Sequence, residues 1–147
     1  MAEDKNSSAT TVTQLGIAAR LARTALAERL LAHGFYAGQD QIMLALGRNE
    51  GITAGQLASE LGVRPPTVTK TINRLQEQDF VERRASGIDG RQSHIYLTEK
   101  GRGALEAINR AIRKTEKRAL AGLTKKERRR LHKLLHHVED NLTADDG

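Results

Sequence analysis

The chain has 147 residues but no cysteine, no tryptophan and only two prolines, two tyrosines and two phenylalanines. Without cysteine it cannot carry a disulfide framework, a thiol nucleophile, a Cys-ligated metal site or a thiol redox sensor. So few aromatic rings argue against single-strand binding by base stacking. No apolar run approaches the ~18–20 residues that span a bilayer, and residues 1–11 lack the apolar core of a signal peptide. These absences predict a soluble, cytoplasmic protein with no membrane partner.

Positive charge is concentrated in the last third of the chain. Residues 98–147 hold 13 Lys and Arg against 8 Asp and Glu, whereas residues 1–52 hold five of each. The favoured interpretation is a solvated face of an amphipathic helix. A basic surface that attracts DNA is compatible with it, because the overall net charge is +6.

Apolar residues recur at helical spacing along most of the chain, and the length is that of one domain. Capping-box patterns at Thr53/Gln56 and Thr124/Glu127 mark two helix starts. Pro65 is tolerated in the first turn of a helix. The predicted helices cover residues 12–31, 39–48, 54–61, 65–78, 98–121 and 124–142.

The pattern changes between the fourth and fifth helices. Residues 80–84 and 93–97 are typical of strands, and the second alternates, with Ile95 and Leu97 on one face. An Asp89-Gly90 turn signal lies between them. We therefore predict a two-stranded hairpin with a long tip, packed against the preceding helices because an isolated hairpin is marginal in water.

A helix, a turn, a second helix and a hairpin form, in that order, a winged helix-turn-helix. The fold class is therefore mainly α (α+β). The second helix buries Val68, Ile72 and Leu75, and its other face carries residue types that contact base edges or phosphates. An ordinary amphipathic helix with a wet face would explain that helix equally well if it stood alone. The candidate DNA-binding residues of the turn and helix are Arg64, Pro66, Thr67, Thr69, Lys70, Asn73 and Arg74.

The predicted hairpin adds a second candidate contact. Arg83, Arg84 and Arg91 cluster near its tip. A long arginine on a protruding loop can enter a narrow minor groove, and Asp89 can hold the Arg91 guanidinium in place. Arg84, Asp89 and Arg91 complete the candidate DNA-binding set, although a solvated Asp–Arg pair alone would mean little.

These motifs resemble the MarR family of bacterial transcription regulators. The specific part is Asp-Gly-Arg-Gln at 89–92 followed by Ile-Tyr-Leu-Thr-Glu-Lys-Gly at 95–101. Leu-Ala-Ser-Glu-Leu-Gly-Val at 57–63 and Pro-Thr-Val-Thr-Lys at 66–70 extend the match, which spans about residues 11–142. The segment Arg64-Pro65-Pro66 departs from the family, where a small polar residue is common in place of Arg64.

The resemblance implies a homodimer whose first and last helices interlock. It also implies a repressor of genes, and many members of the family release DNA when a small phenolic or anionic ligand binds. It implies Arg91 in the minor groove, braced by Asp89, and the second helix in the major groove. Members that sense oxidants use cysteine, so that route is closed here. Two-fold symmetry predicts a pseudo-palindromic site with half-sites ~10 bp apart.

Apolar stripes on the outer helices point independently to a dimer, because one small winged domain cannot cover them. The predicted organisation is a flexible tail (1–10), a single domain (11–142) and a loose tail (143–147). Within the domain the winged helix-turn-helix covers about 38–98, and the dimerisation helices cover about 11–32 and 98–142. The candidate dimer contacts are Leu15, Leu131, Leu134, Leu135 and Val138, and the candidate effector contacts are Arg20, His33 and Tyr36.

Other functions fit these residues less well. A sequence-neutral architectural DNA protein would be more basic in its winged segment, and a winged helix used for protein contacts would not need arginines at its tip. His132 and His136 have the i, i+4 spacing of metal ligands, but surface histidines on a dimer helix are favoured. No nucleophile–base pair or phosphate loop supports an enzyme. We therefore predict no cofactor and no metal.

Overall fold

The computed structural model describes residues 9–85 and 93–144. In these residues the chain is mainly helical, with one small antiparallel sheet. The helices are α1 (Thr11–Leu31), α2 (Gln39–Arg48), α3 (Ala54–Leu61), α4 (Pro65–Glu77), α5 (Glu99–Ala119) and α6 (Lys125–Thr143), and the strands are β1 (Ile52–Thr53), β2 (Val81–Ala85) and β3 (Ser93–Leu97). Within 9–85 and 93–144, no helix has the length and apolar character needed to cross a membrane.

The chain divides into two compact units, Met1–Thr115 and Glu116–Gly147. The first contains α1 to α4, the sheet and most of α5, and its core is assembled from the helices and the strands together. The second contains the end of α5 and the whole of α6. The boundary lies within α5, so both units share the backbone of that helix.

Helix α1 contributes little to the core of the first unit. The Thr10 hydroxyl accepts a hydrogen bond from the Thr13 N–H and caps the helix start. Only Leu30, in the last turn, is fully buried, and Leu26 packs against the core beside it. Leu21 remains 67% exposed. The apolar, alanine-rich stripe is thus largely uncovered in a single chain.

The helix pair α3 and α4 has the predicted bounds to within a residue. Thr53 and Gln56 form the predicted capping box of α3, with both reciprocal hydrogen bonds present. Gly62 ends α3 in the left-handed conformation at φ 64°, where a side chain is disfavoured. The predicted inward face of α4 is confirmed, because Val68, Ile72 and Leu75 are all buried.

The prediction of a two-stranded hairpin is wrong by one strand. β1 pairs antiparallel with the free edge of β3, with Ile52 opposite Ile95, so the sheet order is β1-β3-β2. Two residues are too few to show an alternating pattern, and their partner lies far along the chain. Segments 80–84 and 93–97 do form the predicted hairpin strands, with Val81 opposite Leu97.

The start of α5 is fastened to the turn after α4. The Thr98 hydroxyl accepts a hydrogen bond from the Gly101 N–H and donates one to the Asp79 carbonyl. The predicted buried stripe is right at Ile108, whereas Ala119 is exposed and Thr115 is buried instead. The Thr115 hydroxyl donates to the Ala111 carbonyl, which satisfies its polar group within the helix.

Helix α6 has no fully buried residue. Its start is the predicted capping box, in which Thr124 and Glu127 exchange hydrogen bonds. Hydrogen bonding with Thr124 holds the pKa of the exposed Glu127 below its ordinary value. The Thr124 backbone N–H makes the larger contribution and its hydroxyl the smaller. Of the predicted dimer contacts on α6, Leu135 and Val138 are half-buried, whereas Leu131 and Leu134 are exposed.

Candidate nucleic-acid interface

The exposed face of α4 forms a shallow groove of polar and cationic side chains. Every predicted contact residue on α4 is exposed, while the opposite face of the helix is anchored in the core. Five of the predicted residues line the groove, together with Pro65 and the acidic Glu77: Pro66, Thr69, Lys70, Asn73 and Arg74. Thr67 is exposed in the first turn of α4.

The start of α4 is capped through the backbone. Arg64 has the extended conformation of an N-cap residue, and its carbonyl oxygen accepts from the N–H groups of Thr67 and Val68 at 3.0 and 3.2 Å. Its side chain makes no capping hydrogen bond. The departure from the family at Arg64 therefore leaves the helix start intact, and the exposed guanidinium is not used by the cap.

The sheet reaches the α4 face through Arg83. The Arg83 Nη2 donates a hydrogen bond of 2.6 Å to Oδ1 of Asn73, in the third turn of α4. The sequence places Arg83 in the arginine cluster but does not mark it as a site residue. Its contact with α4 links two elements and cannot be recognised from local spacing.

The neighbouring Arg84 is held elsewhere. Its guanidinium donates to Oε1 of Glu82 at 2.5 and 3.0 Å and lies 4.1 Å from the ring centre of Tyr96. The hydrogen bond to Glu82, followed by the attraction of its negative charge, raises the pKa of Arg84 above its ordinary value. Arg84 is exposed and pairs with Glu82 at the surface, and its contact with DNA stays a prediction.

Asp89 and Arg91, the candidate residues of the hairpin tip, lie outside the described residues. They fall between Ala85, the last residue of β2, and Ser93, the first residue of β3, which pair with each other in the sheet. Minor-groove contact by Arg91 and its orientation by Asp89 therefore remain predictions from the sequence.

The three candidate effector residues are exposed on different parts of the chain. Arg20 is exposed in the middle of α1, and the helical rise puts it ~16 Å from the end of that helix. His33 and Tyr36 are exposed in the corner between α1 and α2. The Tyr36 ring instead meets the α4 face, with the Arg74 Cζ 5.0 Å from its centre.

A buried glutamine ties this corner to the end of α4, and sequence reasoning missed it. Gln39 is 2% exposed. Its side chain accepts from the Tyr36 N–H at 2.9 Å and donates to Oε1 of Gln78 at 2.8 Å. Gln78 also donates to the Gly34 carbonyl, and its own carbonyl accepts from Lys100 Nζ at 2.9 Å. A glutamine beside an apolar stretch gives no sign that it is buried.

The histidines of α6 interact with each other. The Nε2 atoms of His132 and His136 are 3.2 Å apart, and Nδ1 of His136 lies 3.2 Å from a Glu139 carboxylate oxygen. Within residues 9–85 and 93–144, no cluster of three or more His, Cys, Asp or Glu side chains could hold a metal ion.

Comparison with known proteins agrees with this fold. A family model described as MarR family matches residues 39–92. The uncharacterized HTH-type transcriptional regulator YwoH of Bacillus subtilis is 35% identical over 108 residues, which cover 74% of this chain and 78% of YwoH.

Solved structures share the architecture over most of their length. The transcriptional regulator SlyA is 25% identical, with a TM-score of 0.81 over 91% of this chain and 94% of its own. A cysteine-to-serine mutant of MarR from E. coli, solved with operator DNA, is 23% identical with a TM-score of 0.78 over 85% and 90%. A MarR family protein of Mycobacterium tuberculosis, solved with salicylic acid, is 23% identical with a TM-score of 0.71 over 94% and 99%.

The fold and the α4 face together define a winged helix-turn-helix DNA-binding protein. The match to YwoH and the match to the family model identify the family within this class. The chain belongs to the MarR family and is a DNA-binding transcriptional regulator rather than an enzyme.

Proposed function

We propose that the protein is a homodimeric, sequence-specific repressor of transcription that binds a pseudo-palindromic operator and is released by a small effector. The observation that carries the proposal is the two-sided character of α4. One face is locked into the core by Val68, Ile72 and Leu75, and the other is an open groove of hydrogen-bond donors and cations. This combination suits a rigid helix that enters the major groove.

The exposed groups on α4 have the chemistry of base and phosphate recognition. Lys70 and Arg74 can donate to guanine edges or to phosphates, and threonines can contact a thymine methyl or a phosphate. Arg64, at the start of the helix, is suited to a backbone phosphate because its guanidinium is not used in capping. We assign α4 to the major groove on these grounds. Because the proposed ligand is duplex DNA, we expect the protein to act in the cytoplasm.

The proposed second contact is Arg91 in the minor groove, with Asp89 orienting its guanidinium. This part rests on the sequence, in which both residues lie on a glycine-flanked segment between the two strands. A narrow minor groove has enhanced negative potential, which favours an inserted arginine.

Uncovered apolar surface on the outer helices supports the homodimer. On α6, Leu134 is 54% exposed and Leu142 is 79% exposed. On α1, Leu15 is half-buried and Leu21 is exposed. Such stripes are costly in water unless another apolar surface covers them. A two-fold symmetric pairing would cover both copies equally and would present two α4 helices to half-sites ~10 bp apart.

A small aromatic or anionic effector is the proposed release signal. The M. tuberculosis protein was solved with salicylic acid, and Tyr36 and His33 offer a ring and donors beside α4. Because Tyr36 contacts Arg74, an effector that bound against the Tyr36 ring would displace the Arg74 side chain, a proposed DNA contact. Arg20, farther along α1, is the third candidate contact.

The test is selection from a random duplex library at ~150 mM salt, followed by sequencing of the retained DNA. We expect a motif with two-fold symmetry. Retention without a motif would contradict sequence-specific binding and indicate an architectural protein. Loss of all retention, for protein purified by refolding to remove bound effectors, would contradict DNA binding altogether. Repression is then tested with a reporter placed downstream of the selected motif.

A further inference from the structure

Arg83 and Arg84 are adjacent in β2 but serve opposite faces of the sheet. Successive side chains alternate along a strand. Val81 and Arg83 lie opposite Leu97 and Ile95, which are both buried, so Arg83 is on the side that faces the helices. Glu82 and Arg84 lie on the other side, opposite Tyr96 and His94. Alternation therefore aims Arg83, and not Arg84, at α4.

The atom that Arg83 contacts fixes the orientation of the Asn73 amide. A guanidinium has only donors, so the Asn73 atom 2.6 Å from Nη2 must be the carbonyl oxygen. The amide nitrogen, with its two N–H donors, is therefore not the atom that Arg83 engages, and it can donate to a ligand in the α4 groove. Asn73 lines that groove between Lys70 and Arg74, which also present donors.

This orientation changes which base Asn73 suits. An unconstrained asparagine pairs with adenine by accepting from N6 and donating to N7. Here the accepting oxygen is engaged by a cation. Its second lone pair is poorly placed for adenine, because the amino group of the base would approach the guanidinium as well. Guanine presents only acceptors, O6 and N7, at its major-groove edge.

We propose that Arg83 is a positioning residue for DNA recognition, which turns the Asn73 amide so that it selects guanine over adenine at one base pair of each half-site. The proposal rests on the proposed function, because it requires α4 in the major groove. It adds a specificity determinant that lies outside α4.

The experiment repeats the library selection with Arg83→Met, which keeps an unbranched apolar stem but has no donor. We expect the wild type to prefer guanine about tenfold at one position of each half-site. In Arg83→Met the preference should fall below about threefold and adenine should become accepted. Arg83→Lys, which can still donate to Oδ1, should retain most of the preference for guanine.

A double-mutant comparison separates positioning from direct contact. Asn73→Ala should lose discrimination at the same position, and adding Arg83→Met should change nothing further there. Arg110→Met removes an exposed arginine from α5, paired with Glu106, and serves as the control with the motif unchanged. Thermal unfolding of each variant checks that the fold persists.

Two results would overturn the proposal. A uniform loss of affinity in Arg83→Met, with the motif intact and the salt slope reduced by about one, would make Arg83 a phosphate contact. A wild-type motif with adenine at the position lost in Asn73→Ala would contradict the proposed amide orientation. Failure of the wild type to select any motif would instead remove the proposed function, so the two failures are distinguishable.

Discussion

At the scale of single residues, the proposed DNA-binding face of α4 depends on side chains that other elements hold in place. Asn73 is bonded by Arg83 from β2, and Arg74 lies against Tyr36 from the corner before α2. Limiting the freedom of a side chain before it binds lowers the entropy lost on binding. Exposed groups of α4 are thus partly preorganised from both sides.

The contact between Tyr36 and Arg74 predicts a measurable effect on DNA affinity. Tyr36→Ala should weaken operator binding by about 0.5–1 kcal/mol, the value of an exposed cation–π contact. Tyr36→Phe keeps the ring and should restore most of the affinity. Titration of operator DNA measures both, and the same loss for Tyr36→Ala in an Arg74→Ala background would contradict the coupling.

Arg91 provides a second prediction at this scale. Arg91→Ala should weaken operator binding by about 1–3 kcal/mol and leave the unfolding temperature unchanged, because its expected role is to contact DNA rather than to support the core. Binding titrations and thermal unfolding of the same preparation test this. Wild-type affinity in the folded variant would remove the hairpin tip from the mechanism.

At the scale of elements, α5 closely approaches the turn after α4 and so fixes the end of that helix. Gly101 lies in the first turn of α5, where a Cβ atom would collide with the backbone carbonyl oxygen of Phe80. That carbonyl also accepts the Thr98 N–H. The glycine of the Leu-Thr-x-x-Gly motif therefore has a packing reason within this fold.

Gly101 and Gly103 make a matched pair of substitutions in one helix. Alanine normally stabilises a helix interior relative to glycine by about 0.5–1 kcal/mol. Gly103→Ala should show that gain, since open space surrounds the position. Gly101→Ala should instead lower the free energy of unfolding by about 1–3 kcal/mol, because backbone atoms must move. Chemical denaturation measures both, and stabilisation by Gly101→Ala would contradict the close approach.

At the scale of the whole molecule, the main uncovered apolar surface is the stripe along α6. Its residues are confined to one side of the helix, and none is fully buried in a single chain. A second copy of the chain is the proposed cover. DNA affinity would then depend on residues that never contact DNA, because the dimer sets the spacing between the two α4 helices.

Leu134→Asp tests that dependence. A buried, unpaired carboxylate in an apolar interface is strongly disfavoured, so sedimentation should show a monomer and operator affinity should fall sharply. Lys133→Asp is the control: it introduces the same residue at the preceding, exposed position of α6, and this variant should remain dimeric. A dimeric Leu134→Asp protein with full affinity would refute the role of the stripe.

The elements of this fold are largely local features and were predictable as such. The capping boxes at Thr53 and Thr124 and the buried row of α4 all depend on residues within two turns of one another. The exposed α4 face followed from the same periodicity. The contact between Arg84 and the Tyr96 ring could not be predicted in this way, because it joins two strands.

The sequence by itself therefore determined the winged helix-turn-helix, the family and which face of α4 is polar. Only the tertiary structure decided that β1 joins β3, that Gln39 is buried against Gln78, and that Arg83 rather than Arg84 reaches Asn73. The physical reason is separation along the chain. Helical periodicity and caps are set by near neighbours, whereas these contacts join separate elements that meet only when the core forms.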